Sequence, residues 1–378
     1  MNEFNLIASY KFVKCNKLNQ LMRNTKSLVG RIKFENYVNI KNDIPGFKCE
    51  DHSGIEIHKS RYMIFSTNKE LKTFDIKSKE VSNVAIESSC SMHTVNDNLA
   101  VTFSSTSVAV YHKGEKVKVA LANDQPLIGI RQTYNLSYST YGRGALLLPS
   151  NQLVYVANTD HQLTLVDLSP IVMSPGQPEY LVEPVALDHE VIDFAVHKNK
   201  VYYCTDKQVM SLTHPRLFSR GFPRPTGLKK AVSKSDPYES AGCMYTCICA
   251  HDDWTLAASF HMKIEGNIGL QLLDSELRFR EATQIEQPQV EPAVTARPIH
   301  RMKVILRRKV TLILLMGVYT HIHLLATNRR HLQQLHVNYQ ITDVYNNGLA
   351  VDDDKMTAYV TGMNHLLCIP ILSKIKLN

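Results

Sequence analysis

From residue 54 onward one unit recurs along this chain: a short strand, a tight turn and a second short strand. Tyr62–Phe65 precedes Leu71–Ile76, Leu99–Phe103 precedes Ser107–Tyr111, Leu153–Val156 precedes Gln162–Asp167, and Val201–Cys204 precedes Gln208–Leu212. The segments are rich in β-branched and aromatic residues and four to six residues long, which fits a half-buried pleated surface and not a helix. The turns between them repeat as well: Ser66-Thr67-Asn68, Ser104-Ser105-Thr106, Asn158-Thr159-Asp160 and Cys204-Thr205-Asp206. Asn and Asp tolerate left-handed backbone, and small hydroxyls bond back to nearby amides, so these are residues that a hairpin requires. The turns are spaced by about 40 to 50 residues, a period typical of radially repeated four-stranded sheets. Helical periodicity is scarce outside 17–28, and the chain is expected to be all-β.

Counting the units gives seven, at about 54–86, 89–121, 144–185, 188–240, 243–286, 300–340 and 343–373. The last supplies three strands, one short of four. Arg31–Ile40, just ahead of the first unit, is the segment expected to supply the missing strand, which would leave no open sheet edge between the two ends of the array. The predicted organisation is therefore a basic leader, 1–53, holding that strand, followed by the repeat body, 54–378. Insertions interrupt the body at 124–143, 215–240 and 284–298.

Here the pattern resembles the WD40-like β-propeller family. A blade of that family runs from an approximate Gly-His, through an inner strand, to a turn Asp and a closing Trp-Asp. This chain has Asp188-His189, then Val191–Ala195, Val201–Cys204 and Asp206, with Phe74-Asp75, Val166-Asp167 and Leu273-Asp274 at closing positions and Tyr111-His112 in the second unit. It has no Trp-Asp, and its single Trp is Trp254. The resemblance covers about residues 54–378. It implies a seven-bladed β-propeller with four-stranded blades, closed by an N-terminal strand.

Charge and cysteine content narrow the functional classes. The chain carries +8, and residues 1–48 hold nine basic against three acidic side chains, so the leader contributes most of the surplus. Lys11, Lys14 and Lys17 interrupt any apolar run, so no secretory signal is expected, and a mitochondrial presequence is the lesser alternative to a solvated leader. The eight cysteines, spread over 378 residues, read as reduced thiols of an intracellular protein, cytoplasmic or nuclear. Val310–Ala326 lacks formal charge but is short for a membrane span, and the repeat predicts two strands there.

No catalytic set is expected. There is no Gly-x-Ser-x-Gly elbow and no Gly-rich phosphate loop before a helix, which leaves a propeller hydrolase as a remote alternative. Cys243, Cys247 and Cys249 beside His251 contain zinc-ligand chemistry, yet the spacing lacks paired cysteines. The segment instead predicts an inner strand with the three thiols buried on one face. His321 and His323 share a strand face, and Asp352-Asp353-Asp354 reads as an acidic hairpin turn, not a calcium loop. No metal and no cofactor is predicted. The candidate partner-binding residues are Arg216, Arg220, Phe222, Arg224, Lys229 and Lys230, in an insertion where six basic residues stand against two acidic ones. Arg and aromatic side chains in this mixture make protein hot spots or grip phosphates and stack on bases. The expected function is a non-catalytic scaffold subunit of an intracellular assembly, bound to other protein subunits. The alternative is an accessory subunit of an RNA-modifying or RNA-processing complex, with RNA or another acidic partner held by the leader and this insertion.

Overall fold

The structure is a computed structural model. It describes residues 4–5, 38–44, 55–66, 70–86, 92–104, 106–121, 125, 127, 144–157, 162–182, 184–197, 200–205, 207–213, 228–230, 243–252, 255–262, 268–285, 299–307, 310–317, 322–327, 332–335, 346–362, 366–370 and 376–377. The chain is all-β, built from antiparallel sheets in an arrangement consistent with a β-propeller. The described residues form seven four-stranded sheets in sequence order. The first sheet runs Ile55–His58, Tyr62–Ser66, Glu70–Asp75 and Val81–Ala85. The second runs Met92–Val95, Leu99–Phe103, Val108–His112 and Glu115–Val117, and the third runs Ala145–Leu147, Gln152–Val156, Gln162–Asp167 and Val185–Glu190. Asp193–His197, Lys200–Cys204, Val209–Thr213 and Leu228–Lys230 make the fourth; Cys243–Asp252, Thr255–Met262, Ile268–Leu273 and Phe279–Ile285 make the fifth. The sixth comprises Ile299–Arg307, Val310–Gly317, Ile322–Thr327 and Leu332–Leu335. The seventh comprises Asn346–Asp352, Thr357–Gly362 and Leu366–Pro370, with Val38–Asn39 paired to Leu366–Pro370 as its fourth strand.

From the first sheet to the sixth, and again between the seventh and the first, apolar faces find their cover on the neighbouring sheet, which is what a two-faced β layer must do to stay folded. Ile64 and Leu71 of the first sheet share a core with Tyr111 of the second. Leu99, Val101 and Phe103 meet Leu153 and Tyr155 of the third. Val154 and Leu163 meet Phe194 and Tyr203 of the fourth, and Tyr202 meets Tyr245 and Ile248 of the fifth. Leu270 and Leu272 then meet Met302 and Val304 of the sixth. Ile55, Met63 and Phe65 of the first sheet pack with Ala350, Tyr359 and Leu366 of the seventh, so the two ends of the array share one core. Gly348 sits at that contact, where a Cβ would meet Thr361 Oγ1 at 2.6 Å and Ile55 Cγ2 at 2.9 Å.

Several boundaries differ from the sequence reading, each for a local reason. Asp188-His189 ends the third sheet instead of opening the fourth, because Leu187, Asp188 and His189 bulge opposite Leu163 between the Gln162–Glu190 and Thr164–Ala186 pairs. The fourth strand of the fourth sheet, Leu228–Lys230, comes from inside the 215–240 insertion, and the fifth sheet's outer strand carries on to Ile285, two residues into the 284–298 insertion. Leu127, within the 124–143 insertion, is buried in the core shared by the second and third sheets. Val310–Ala326 forms two paired strands, and no helix among the described residues is long and apolar enough to cross a membrane. Cys247 and Cys249 share a face, the side chain of Cys243 lies outside the described residues, and a register shift between Tyr245 and Cys247 sets which face the two thiols take. Cys247 and Cys249 consequently face the sixth sheet while Tyr245, Ile248 and Ala250 face the fourth.

Candidate functional site

The closing dipeptides have a physical job. The first residue of each is buried: Phe74, Val166, Leu273 and Tyr111 all lie in the core. Each pair stands at or just past the end of the third strand, so its second residue meets the turn toward the outer strand. Asp75 accepts the backbone N–H of Lys77 at 2.8 Å and of Ser78 at 3.2 Å, and Asp274 accepts those of Glu276 and Arg278, both at 2.9 Å. Asp167 accepts the Ser169 N–H at 2.9 Å at the start of the short helix Ser169–Met173. A carboxylate here satisfies turn donors that no ladder can reach. Two of the three also hold a guanidinium: Arg61 Nη2 lies 2.6 Å from Asp75 Oδ2, and Arg280 Nη2 lies 2.7 Å from Asp274 Oδ2. The Arg61 guanidinium, helped by the Lys77 and Ser78 amides and opposed by burial, holds the Asp75 carboxyl down to about 2.

A second repeated device joins neighbouring sheets. The first strand of each sheet is an edge, and its spare N–H groups need acceptors. Glu56 Oε2 accepts Val95 N–H at 3.0 Å, Thr94 Oγ1 accepts Leu147 N–H at 3.0 Å, and Asp193 Oδ2 accepts Ile248 N–H at 2.8 Å. In each case an inner-strand side chain of one sheet reaches the inner strand of the next. Asp193 also lies beside the Cys204 and Cys247 thiols. Burial first, and then that carboxylate, pushes both thiols well up. No cluster of three metal-ligating residues exists among the described residues. Asp352-Asp353-Asp354 lies in the hairpin between Asn346–Asp352 and Thr357–Gly362, where Asp352 accepts the Lys355 N–H at 3.0 Å. His321 falls outside the described residues, and His323 lies on strand Ile322–Thr327.

Of the six candidate binding residues, Arg216, Arg220, Phe222 and Arg224 fall outside the described residues. Lys229 and Lys230 lie on the outer strand of the fourth sheet, opposite Ser211 and Met210. That strand divides the insertion. Antiparallel strands alternate direction, so the connection from Thr213 to Leu228 leaves one end of the sheet and the connection after Lys230 leaves the other.

The end from which the Thr213–Leu228 connection leaves is marked by side-chain contacts between the fourth and fifth sheets. Lys200 Nζ, at the start of the fourth sheet's second strand, donates to Ser275 O at 3.0 Å and pairs with Glu276, while Tyr202 OH donates to Ser275 O at 3.3 Å. Ser275 and Glu276 belong to the turn closed by Asp274, which leads into Phe279–Ile285. At the start of that outer strand Leu273 pairs with Phe279 and Leu272 with Glu281, so Arg280 is an extra residue in a bulge. The bulge turns Arg280 back toward Asp274, and Phe279 is left 45% exposed between two exposed arginines. Sequence reasoning passed over Arg278-Phe279-Arg280. The signal was present as two cations and an aromatic beginning four residues after the closing Asp274.

Comparisons with known proteins add the fold and nothing finer. No family model matches the chain, and no curated protein matches it. Among solved structures it is similar to a chain of the mitotic checkpoint complex at 10% identity and a TM-score of 0.55, covering 91% of this chain and 96% of that one. It is also similar to the extracellular domain of a one-component system from B. thetaiotaomicron, at 12% identity and a TM-score of 0.57. That match covers 89% of this chain and 42% of the other, so the likeness lies in the repeated-sheet architecture.

Proposed function

We propose that the seven sheets are the blades of a closed, seven-bladed β-propeller of WD40-like type, and that the protein is a non-catalytic scaffold subunit of an intracellular multiprotein assembly. The observation that carries this reading is the core shared by the first and seventh sheets, with Val38–Asn39 paired to the last strand of the chain's final repeat. A ring joined through both ends is rigid and presents its connections on two faces, which suits holding partners more than turning over a substrate. The seam between the two ends has its own bonds: Ser60 Oγ donates to Asp354 Oδ2 at 2.8 Å, and Lys355 Nζ donates to Ser60 O. Lys59 and Ser60, non-glycine residues at positive φ, sit within the hairpin that these bonds hold.

The test has two arms. Deleting residues 1–45 should expose the last sheet's edge and cause aggregation, whereas deleting 1–20 removes, among the described residues, the two-residue Phe4–Asn5 ladder alone and should leave the protein monodisperse. A 1–45 deletion that stays monomeric with an unchanged melting temperature overturns the closure. Affinity purification of the tagged full chain followed by mass spectrometry should recover fixed-stoichiometry protein partners; recovery of none above background overturns the scaffold. The rival reading, an accessory subunit that holds RNA through the basic leader and the 215–240 insertion, requires RNA binding that falls steeply with salt.

A further inference from the structure

We infer that the turn His58–Arg61 of the first sheet is a sprung latch, held against its own backbone preference by side chains of both neighbouring sheets, and that its release loosens the junction of the first and seventh sheets. The inference rests on the closed-array reading and adds a point of control to it. The turn is closed by the Arg61 N–H, which donates to the His58 carbonyl at 3.2 Å. Both residues inside it are left-handed, Lys59 at φ 52° and Ser60 at φ 50°. Among the described residues no other two consecutive non-glycine residues take positive φ. In this region a Cβ crowds the following carbonyl oxygen, so each of the two carries a cost that glycine does not.

The second sheet supplies an internal control. Its Lys113-Gly114 turn also has two consecutive positive φ values, 52° and 85°, but its second residue is glycine. Nothing lies within 4 Å of the place where a Cβ on Gly114 would stand. Built with glycine, such a turn sits in open space. Built with Ser60, it is tied on both sides.

The ties are polar and specific. Ser60 Oγ donates to Asp354 Oδ2 at 2.8 Å, and Lys355 Nζ donates to the Ser60 carbonyl. Facing the other way, Lys59 Nζ lies 2.6 Å and His58 Nε2 2.9 Å from Asp97 Oδ1. Asp354 and Lys355 belong to the first hairpin turn of the seventh sheet, and Asp97 to that of the second. The latch therefore joins the tips of two hairpins whose strands carry Ile55, Met63 and Phe65 on one side and Ala350 and Tyr359 on the other, the core of the junction. Half-buried Cys368 packs at the margin of that core. Water can replace the ties, since the Lys59 and Asp97 side chains are 60% and 59% exposed. Once they break, Lys59 and Ser60 can return to right-handed backbone, and the strain released in the open form lowers the cost of opening.

Two substitutions separate the tie from the strain. Ser60→Ala removes the hydroxyl and keeps a Cβ at positive φ; Ser60→Gly removes the same hydroxyl and lifts the strain. Each full-length protein is alkylated with N-ethylmaleimide, with labelling at each cysteine read by peptide mass spectrometry. Amide exchange is followed at Arg61 and at Ile76, whose N–H donates to the Arg61 carbonyl at 2.9 Å. In Ser60→Ala, Cys368 should alkylate about threefold or more faster than in wild type, and both amides should exchange faster by a similar factor. In Ser60→Gly the rates should stay at or below those of wild type. Cys204, buried in the core of the fourth and fifth sheets, should keep its wild-type rate in both. Asp354→Ala should reproduce Ser60→Ala and add nothing in the Ser60→Gly background. Equal acceleration in the alanine and glycine variants means that the hydroxyl acts without backbone strain, and it overturns the latch. Equal acceleration at Cys204 and Cys368 means that the whole fold loosens, which overturns it as well. If the 1–45 deletion aggregates while the two Ser60 variants behave alike, the closed array stands and the latch alone falls.

Discussion

The first and fifth sheets solve the same problem with the same residue types and arrive at different surfaces. In both, an aspartate at the end of the third strand takes two turn amides and a guanidinium. In the first sheet the guanidinium comes from inside the ring of turns. Arg61 lies in the turn of the first hairpin, and its guanidinium carbon also lies 4.9 Å from the centre of the Tyr62 ring, while Lys79 covers Phe74 at 5.5 Å. Cations there cap aromatics, and the end of the sheet is finished. In the fifth sheet the guanidinium comes from the outer strand, through a bulge, and the neighbouring Phe279 has no such cover among the described residues. A conserved-looking turn chemistry thus does not dictate what the surface offers; the side from which its counter-ion arrives does.

Acid should separate the two regions most strongly. His93, on the second sheet, is buried against the first: its Nε2–H donates to Ile64 O at 3.0 Å, and its Nδ1 lies 3.3 Å from Ser66 Oγ. The carbonyl can only accept, which fixes this tautomer. Burial pushes the imidazole down to about 4. The unfolded chain therefore takes up a proton from pH 6.5 downward while the folded chain does not. Stability present above about pH 6.5 is lost as pH falls toward 4, by roughly 3 kcal/mol in all. Urea midpoints measured across this range should fall in wild type and stay flatter in His93→Gln. Amide exchange at pH 4.5 should accelerate first around Ile64, Ser66 and His93, ahead of the fifth sheet; equal acceleration in both would remove the distinction. Asp75 acts later and with the same sign. Its depressed carboxyl stabilises the fold above 3.8, and that contribution disappears as pH falls toward about 2.

Removing the closing carboxylates is the next largest test. Asp274→Ala strands the Glu276 and Arg278 amides and frees Arg280, and should cost about 2 kcal/mol in urea unfolding. Asp274→Asn keeps an acceptor oxygen and should recover more than half of that. Asp75→Ala should lower the midpoint further than Asp274→Ala, because Arg61 then loses its anchor beside Tyr62. Equal losses at the two positions would show that the turn amides alone carry the effect.

The repeat was legible because it is local. Turn residues and alternating β-branched runs act within a few positions, so Leu99–Phe103 and Gln162–Asp167 fall on the residues predicted, and Ser104 and Thr205 bond the turn amides as their hydroxyls allow. The short outer strand Leu228–Lys230 was hidden because three residues between Pro- and Gly-rich stretches carry no periodicity of their own; pairing with Met210–Leu212 defines them. Bulges were hidden for a related reason. The one between Tyr245 and Cys247 puts those two residues on opposite faces, and the one at Arg280 turns a side chain back to Asp274, yet both are set by the partner strand. Of the candidate binding residues, Lys229 and Lys230 lie on a strand that only its pairing with Met210–Leu212 defines, and Arg278-Phe279-Arg280 went unnoticed because its exposure depends on a bulge.

The smallest effect is the sharpest test of the opening contrast. Arg280 is 57% exposed on its side chain, so its pair with Asp274 is well solvated, and Arg280→Ala should cost about 0.5 kcal/mol. Arg61→Ala should lower the urea midpoint more, since its guanidinium also lies over Tyr62, and the loss removes packing as well as charge. Lys substitution distinguishes the two further. A lysine at 61 keeps the charge but loses the planar contact with Tyr62, so it should behave nearly like alanine. A lysine at 280 needs only to reach Asp274 as a point charge, so it should behave nearly like arginine. If Arg61→Lys is as silent as Arg280→Lys, the stacking in the first sheet adds nothing, and the two turns differ only in where their cations begin.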